Sequence, residues 1–276
     1  MIVALRIEPL VQALFPDIGM TKPPSLFLSH GAPNLALYES PTRDFLGALG
    51  KKLPRPEAIL IMSAHFEAAE PTFEAGAHPG MIYDFGGFEP ELYRMVYPAP
   101  GAPALAEKAA GLAQKAGLDA KLSEGRGYDH GTWVPLVLLY PDADIPVATL
   151  SVQSRRDGAH HVALGRALAP LRDEGVLIIG SGGATHNLRA FFGPGRDATP
   201  DWVKSFNQWI FERAEAGDDR AIAQWERGPM ALQNHPTPEH FQPFPFAYGA
   251  GGPGAKGVRL NHDYVGPISL DAYAFE

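Results

Sequence analysis

At 276 residues, with 45% hydrophobic and 20% charged residues, the chain has the size and make-up of one large globular α/β domain or two small ones. A net charge of −8 argues against nucleic acid or an anionic membrane as the main partner. With 0 cysteines, disulfides, thiolate zinc sites, iron–sulfur clusters and a cysteine nucleophile are excluded, so any metal must be held by nitrogen and oxygen, with 10 histidines to draw on.

The stretch from Met1 to Ala13 is apolar but short and carries Arg6 and Glu8. It lacks the basic start and small-residue cleavage site of a secretory signal. No run approaches the roughly 20 apolar residues of a membrane span, so we expect a cytoplasmic protein. Residues 1–19 are set apart as an N-terminal extension, and Met20 stands just before the first strand. Ser25 to Ser29 predicts that strand, ending at His30-Gly31-Ala32-Pro33-Asn34. Pro41 to Leu53 predicts a helix, with Phe45, Leu46, Leu49 and Leu53 at helical spacing and Lys51 and Lys52 suited to its C-terminal dipole. Residues 58–63 form a continuous apolar run, as in a strand buried on both faces, and lead to Ser63-Ala64-His65.

Phe73 to Ala75 reads as a short strand. The glycine- and aromatic-rich stretch from Tyr83 to Tyr93 is too irregular for one; it suits either a pocket for a ring-shaped substrate or a packed lid. Pro103 to Ala116 predicts an alanine-rich helix closed by Gly117. Gly127 to Trp133 precedes the apolar Val134 to Tyr140, a turn at 141–144 and a strand from Ile145 to Val152. A helix is expected from Gly158 to Leu171; His160 and His161 in its first turn point different ways and are read as surface or packing residues. Val176 to Ile179 is a strand leading through Gly180-Ser181-Gly182-Gly183 to Thr185-His186-Asn187. Asp201 to Glu215 is an amphipathic helix whose apolar stripe belongs to the core, and Asp219 to Glu226 is a shorter one. Asn234 to Phe241 reads as a loop entering a helix, with His235 near its start. Gly249 to Gly257 is expected to be a flexible loop, and Tyr264 to Phe275 a closing strand. Strands and helices alternate, which predicts a single α/β domain with a central, mostly parallel (mixed) sheet and helices on both faces.

Three times an apolar strand run ends in a small polar stretch and a histidine, at His30, His65 and His186. In open α/β sheets ligands bind outside the carboxyl ends of the strands, so these histidines point to one metal. His30, His65 and His235 are the first choice as ligands, with His186 either a fourth ligand or a base beside the metal. His130 is a candidate acid or base just outside them, with the role of its neighbour Asp129 left open. His240 either supports the site or covers it, and His78 and His262 are structural. The glycine run at 180–183 is neither a dinucleotide fingerprint nor a P-loop, and Ser181 does not sit in a nucleophile elbow. A zinc hydrolase and an iron(II) oxygenase both remain open on spacing alone.

The ordered set Ser29-His30-Gly31, Ser63-Ala64-His65, Tyr83-Asp84-Phe85, Asp129-His130-Gly131-Thr132-Trp133, Thr185-His186-Asn187 and His235-Pro236-Thr237-Pro238-Glu239-His240 resembles the class III extradiol ring-cleavage dioxygenases, most of all their 4,5-DOPA branch. The resemblance spans Ser25 to at least Phe241 and makes residues 20–276 the catalytic domain. It implies a non-haem metal, ordinarily iron(II) though zinc suits an all-histidine site, that cleaves a DOPA- or caffeate-like catechol with O₂ to a muconic semialdehyde. Carried over, His30, His65 and His235 match ligands, His186 a base or ligand, and His130 a further pocket histidine; Glu239, the one carboxylate of the last motif, competes with His235. The alternatives are a zinc-dependent hydrolase on the same site and a metal- or catechol-binding module without turnover. Assembly into a homo-oligomer is left open.

Overall fold

The computed structural model describes residues 22–276. The expectation for residues 1–19 lies outside them. The strands run in chain order as β1 (Ser25–Ser29), β2 (Ala58–Glu67), β3 (Thr72–Glu74), β4 (Lys121–Ser123), β5 (Val147–Val152), β6 (Val176–Gly182), β7 (Gly257–Asn261), β8 (Tyr264–Val265), β9 (Ile268–Ser269) and β10 (Ala272–Phe275). Eight of them form one sheet in the order β4-β3-β5-β2-β6-β1-β10-β7. β5, β2, β6 and β1 are parallel, whereas β10 and β7 close one edge antiparallel and β3 joins β5 antiparallel at the other. The α/β domain with a mostly parallel mixed sheet is therefore as the alternation of elements predicted.

The helices are α1 (Pro41–Lys52), α2 (Pro103–Lys115), α3 (His130–Leu139), α4 (Gly158–Leu168), α5 (Leu188–Phe191), α6 (Asp201–Ala216), α7 (Asp219–Ala223), α8 (Ala231–Asn234) and α9 (Pro243–Ala250). β2 shows why both faces are covered. Ile59 and Ile61 pack with α1 and α3 through Phe45, Leu49, Trp133 and Leu136, while Leu60 and Met62 pack on the other face with Ala106 and Ala109 of α2 and Leu164 of α4. All four strand residues are fully buried, each contributing about 1.5–3 kcal/mol of transfer free energy. Among the described residues no helix is long and apolar enough to cross a membrane.

Several elements differ from expectation. β2 runs on to Glu67, with a register shift against β5 between Ser63 and Glu67 that turns the end of the strand, and with it His65, out of regular pairing. The apolar stretch from Val134 is the body of α3, which Asp129 caps by accepting from Thr132 N–H at 3.0 Å. The helices expected to end at Leu171 and Glu226 stop at Leu168 and Ala223, each followed by a 3₁₀ turn. The segment from Tyr264 splits into the small β8–β9 ladder and β10. α9 reads poorly as a helix because of Pro243, Pro245 and Gly249, yet proline is tolerated in a first turn. Its backbone lies directly on β6: a Cβ on Gly180 would stand 2.1 Å from the Pro243 carbonyl oxygen.

Candidate metal centre

The site sits where the parallel strands end. β1 delivers His30, β2 delivers His65, α3 begins at His130, and the turn after β6 delivers His186. The link to α9 completes it. Gly183 N–H donates to the His240 carbonyl at 2.8 Å, and a Cβ on Gly182 would stand 2.1 Å from that same oxygen. Glycine at 182 is thus what lets His240 reach the strand ends. Gly131 plays a similar part, since a Cβ there would lie 2.5 Å from Ser63 Oγ and 3.0 Å from His65 Cδ2.

The ring nitrogens converge. His65 Nε2 lies 3.2 Å from His30 Nε2 and 3.2 Å from His240 Nε2. The opposite nitrogens face outward onto acceptors. His240 Nδ1 donates to Glu239 Oε1 at 2.9 Å, His130 Nδ1 donates to Asp84 Oδ1 at 2.9 Å, and His65 Nδ1 stands 3.3 Å from Asp84 Oδ2. His30 Nδ1 is 3.0 Å from Ser181 Oγ, which spends its own proton on the Gly131 carbonyl and so has to accept from His30. With Nδ1–H used outward, the Nε2 lone pairs of His30, His65 and His240 point at one another.

Those lone pairs call for a cation. Burial, reinforced by the neighbouring imidazoles, holds His30 and His240 far below the ordinary histidine range; burial and His130 bring His65 to about 3. At neutral pH the rings are therefore uncharged, the form that binds metals. Two nitrogens each about 2.0–2.1 Å from one ion lie roughly 2.9 Å apart at a right angle and roughly 3.4 Å at a tetrahedral angle. The observed 3.2 Å separations fall between these for the His30–His65 and His65–His240 pairs, and ligand atoms of His30, His65 and His130 all lie within 4.8 Å of one another, so the histidines present fit a single ion.

The chain matches the family model described as the catalytic LigB subunit of aromatic ring-opening dioxygenase over residues 18–275. It belongs to the LigB family. It is similar to proteins named 4,5-DOPA dioxygenase extradiol from Beta vulgaris (42% identity, covering 91% of this chain and 96% of that one), Portulaca grandiflora (43%; 91% and 95%) and Escherichia coli K12 (38%; 88% and 89%). A crystal structure of an uncharacterized protein from E. coli K12 has the same fold, with a TM-score of 0.76, 32% identity and coverage of 92% of this chain and 99% of that one. This LigB-family chain is thus an aromatic ring-opening dioxygenase.

Within the LigB-family site, the structure brings His30, His65, His130 and His186 together but not His235. His235 is 1% exposed and walled in by Phe206, Trp225 and Phe241. Its Nε2–H donates to the Ala184 carbonyl at 3.1 Å, and its Nδ1 is buried without a partner. The reason is local: His235 ends α8 with its N–H on Ala231, which turns the ring into the aromatic core, and the Pro236-Thr237-Pro238 turn then presents His240 to the strand ends. His235 instead braces the turn carrying His186, whose N–H donates to the Asn234 carbonyl at 3.0 Å. The ring of His186 stacks on His240 with centroids 3.4 Å apart and planes 7° from parallel. One ring nitrogen each of His186 and His240 and a Glu239 carboxylate oxygen lie within 4.8 Å of one another.

His130 is held by Asp84, not by its neighbour Asp129. Asp129 caps α3, accepts from Ser63 Oγ at 2.6 Å and pairs with Arg126 at 2.9 Å; Arg126 also donates to the His65 carbonyl at 2.8 Å. Burial raises the Asp84 carboxyl, but the bonds from His130 outweigh it and hold the group at about 2. His78 is exposed, and His262 bonds Asp271 at 2.9 Å in the C-terminal hairpin; neither joins the cluster. His161 is fully buried, with Nδ1 on the Asp157 carbonyl, and His160 is half-buried beside it. Sequence reading quoted Asp84 only within the Tyr83-Asp84-Phe85 motif and weighed Ser181 only as a nucleophile, so their roles in orienting the histidines went unseen. An acceptor for each Nδ1 is a chemical requirement of a histidine ligand, and the acidic neighbour Glu239 was the visible sign favouring His240.

Proposed function

We propose that this chain performs extradiol cleavage of a catechol, incorporating O₂ beside the two hydroxyls to give a muconic semialdehyde, with iron(II) held by His30, His65 and His240. The reading is carried by His65 Nε2 standing 3.2 Å from both His30 Nε2 and His240 Nε2, beside a fourth imidazole, His186, stacked on His240. The relatives named 4,5-DOPA dioxygenase extradiol support a catechol with a DOPA-like side chain, with caffeate-like compounds next. When bound, iron(II) supplies open positions for both catechol oxygens and O₂ and a route for electron density between them. Zinc fits the same three nitrogens but has no redox chemistry.

The protein's own contribution is proton placement and exclusion of water. Burial lowers His186 to about 4, so its ring is neutral at pH 7 and starts with a lone pair free to take a phenolic proton. Glu239 nearby favours the resulting imidazolium, which can then return the proton to oxygen as the ring opens. His130, fixed through Nδ1, keeps Nε2 free to accept a hydrogen bond from the bound substrate. Phe85 stands edge-on to His130, with centroids 5.8 Å apart, and walls that side with an apolar surface suited to an aromatic ring.

The test is O₂ consumption by metal-free protein reloaded anaerobically with iron(II), then mixed with DOPA or caffeate in air, with a zinc-loaded control. Uptake with iron alone, together with a yellow semialdehyde absorbance, is the expected result. No uptake across a panel of catechols, by protein shown to hold iron, refutes the reading. His186→Gln is expected to abolish cleavage while retaining catechol binding; unchanged cleavage removes His186 from the mechanism.

A further inference from the structure

Asp84 has no step in the chemistry above, yet its carboxylate touches two of the clustered histidines. Oδ1 accepts from both the backbone N–H (3.0 Å) and ring Nδ1–H (2.9 Å) of His130, and Oδ2 stands 3.3 Å from His65 Nδ1. The two rings lie 3.9 Å apart. A carboxylate can only accept, and a neutral imidazole carries a single N–H. In its neutral form His130 thereby carries its proton at Nδ1, and the Asp84 Oδ2 contact favours the same tautomer in His65, leaving both Nε2 atoms bare.

The origin of Asp84 gives this a second consequence. It lies between β3 and α2, in a stretch whose one helical element is the three-residue turn Leu92–Arg94. Main-chain bonds tie the start of this stretch to Tyr128, through Ile82 N–H at 2.8 Å and the Gly80 carbonyl at 2.7 Å. Further on, several polar bonds are internal, as from Tyr83 Oη to the Met95 carbonyl and from Tyr93 Oη to the Phe85 carbonyl. Asp84, with Phe85 edge-on to His130 beside it, is where this aromatic segment engages the histidines.

We propose that Asp84 is a positioning residue that sets the metal-binding tautomer of His65 together with the matching tautomer of His130, and that it couples metal occupancy to the ordering of residues 83–93. A ligated imidazole holds its remaining proton at Nδ1 and donates it more strongly, so metal tightens the Asp84 contact and the closed segment in turn favours metal, by reciprocal linkage. The inference rests on His65 being a ligand.

The tautomers are read directly from histidine-selective ¹⁵N NMR of the metal-free full-length protein. Nδ1–H on both His65 and His130 is expected; Nε2–H on either ring overturns the proposal, whatever the affinity for metal. In parallel, zinc affinity by chelator competition and amide hydrogen exchange of residues 83–93 are compared in the wild type and Asp84→Asn. The amide turns a donor toward one ring, so zinc affinity is expected to fall by about 10–100-fold. Zinc should slow exchange of the segment in the wild type and not in the variant. Affinity within about two-fold of wild type, with the zinc-dependent protection intact, overturns the coupling. A wild type that takes up no zinc or iron overturns the ligand reading and the coupling together, whereas a wild type that binds metal beside an unaffected variant overturns the Asp84 role alone. Should Asp84→Asn fail to fold, the wild-type tautomers still decide.

Discussion

The sharpest division of labour in the site is between His235 and His240, two histidines five positions apart with opposite surroundings. His240→Ala removes an inward Nε2 that lies 3.2 Å from His65 Nε2; His235→Ala removes a ring that faces aromatic side chains and the Ala184 carbonyl. Binding of structural zinc is worth roughly 10–16 kcal/mol over four ligands, so one nitrogen ligand carries about 2.5–4 kcal/mol, or a loss of roughly 60- to 900-fold in affinity. His240→Ala should therefore bind zinc or iron(II) that much more weakly while its metal-free form unfolds near the wild-type midpoint. His235→Ala should do the reverse. It keeps near-native affinity but loses about 2–4 kcal/mol of stability, from the cavity among Phe206, Trp225 and Phe241 and the unpaired Ala184 carbonyl. The assay is metal content after dialysis against a graded chelator, paired with urea unfolding of the metal-free proteins. A His235→Ala protein that loses metal at wild-type stability, beside a His240→Ala protein that retains it, refutes the assignment.

Other outcomes follow from the same geometry. Ser181→Ala strands His30 Nδ1–H and the Gly131 carbonyl, and should cost about 1–3 kcal/mol in urea unfolding and weaken metal retention. Gly182→Ala puts a Cβ 2.1 Å from the His240 carbonyl oxygen and should displace His240, visible as loss of metal with the α/β circular dichroism retained. In metal-free protein, burial holds His161 and His235 at about 3, against roughly 6.5 in the unfolded chain. At pH 7 both states are neutral and these groups contribute nothing; as pH falls from about 6.5 toward 3 the unfolded state takes up protons that the folded state refuses, so stability falls. Urea midpoints should drop between pH 7 and pH 5, and an unchanged midpoint would contradict the neutral burial of these rings.

The fold was legible because its strands are continuous apolar runs and its helices carry clear apolar stripes; residues 59–62 alone specify a strand buried on two faces. α9 was not legible, since its proline and glycine are set by contact with β6 and α4 and not by helical propensity. In the site, His30, His65 and His186 announced themselves at strand ends, where chain position and spatial position coincide. The choice between His235 and His240 did not, because it depends on how one turn of chain rotates against Gly182 and Gly183. Asp84 was hidden for a related reason: it sits 46 residues from His130 and 19 from His65, in a stretch with no periodicity to read.

The convergence of His30, His65, His130, His186 and His240 from segments up to 210 positions apart also bears on when the protein can acquire its ion. A nascent chain that has emerged only through β6 has three of these histidines but lacks His186 and His240, and also lacks β10, which pairs with β1 along one edge of His30's strand. High-affinity capture thus waits for the last quarter of the chain. If His240 is a ligand, metal uptake reports on synthesis past that residue, and chains truncated before it should hold metal more weakly than the full chain.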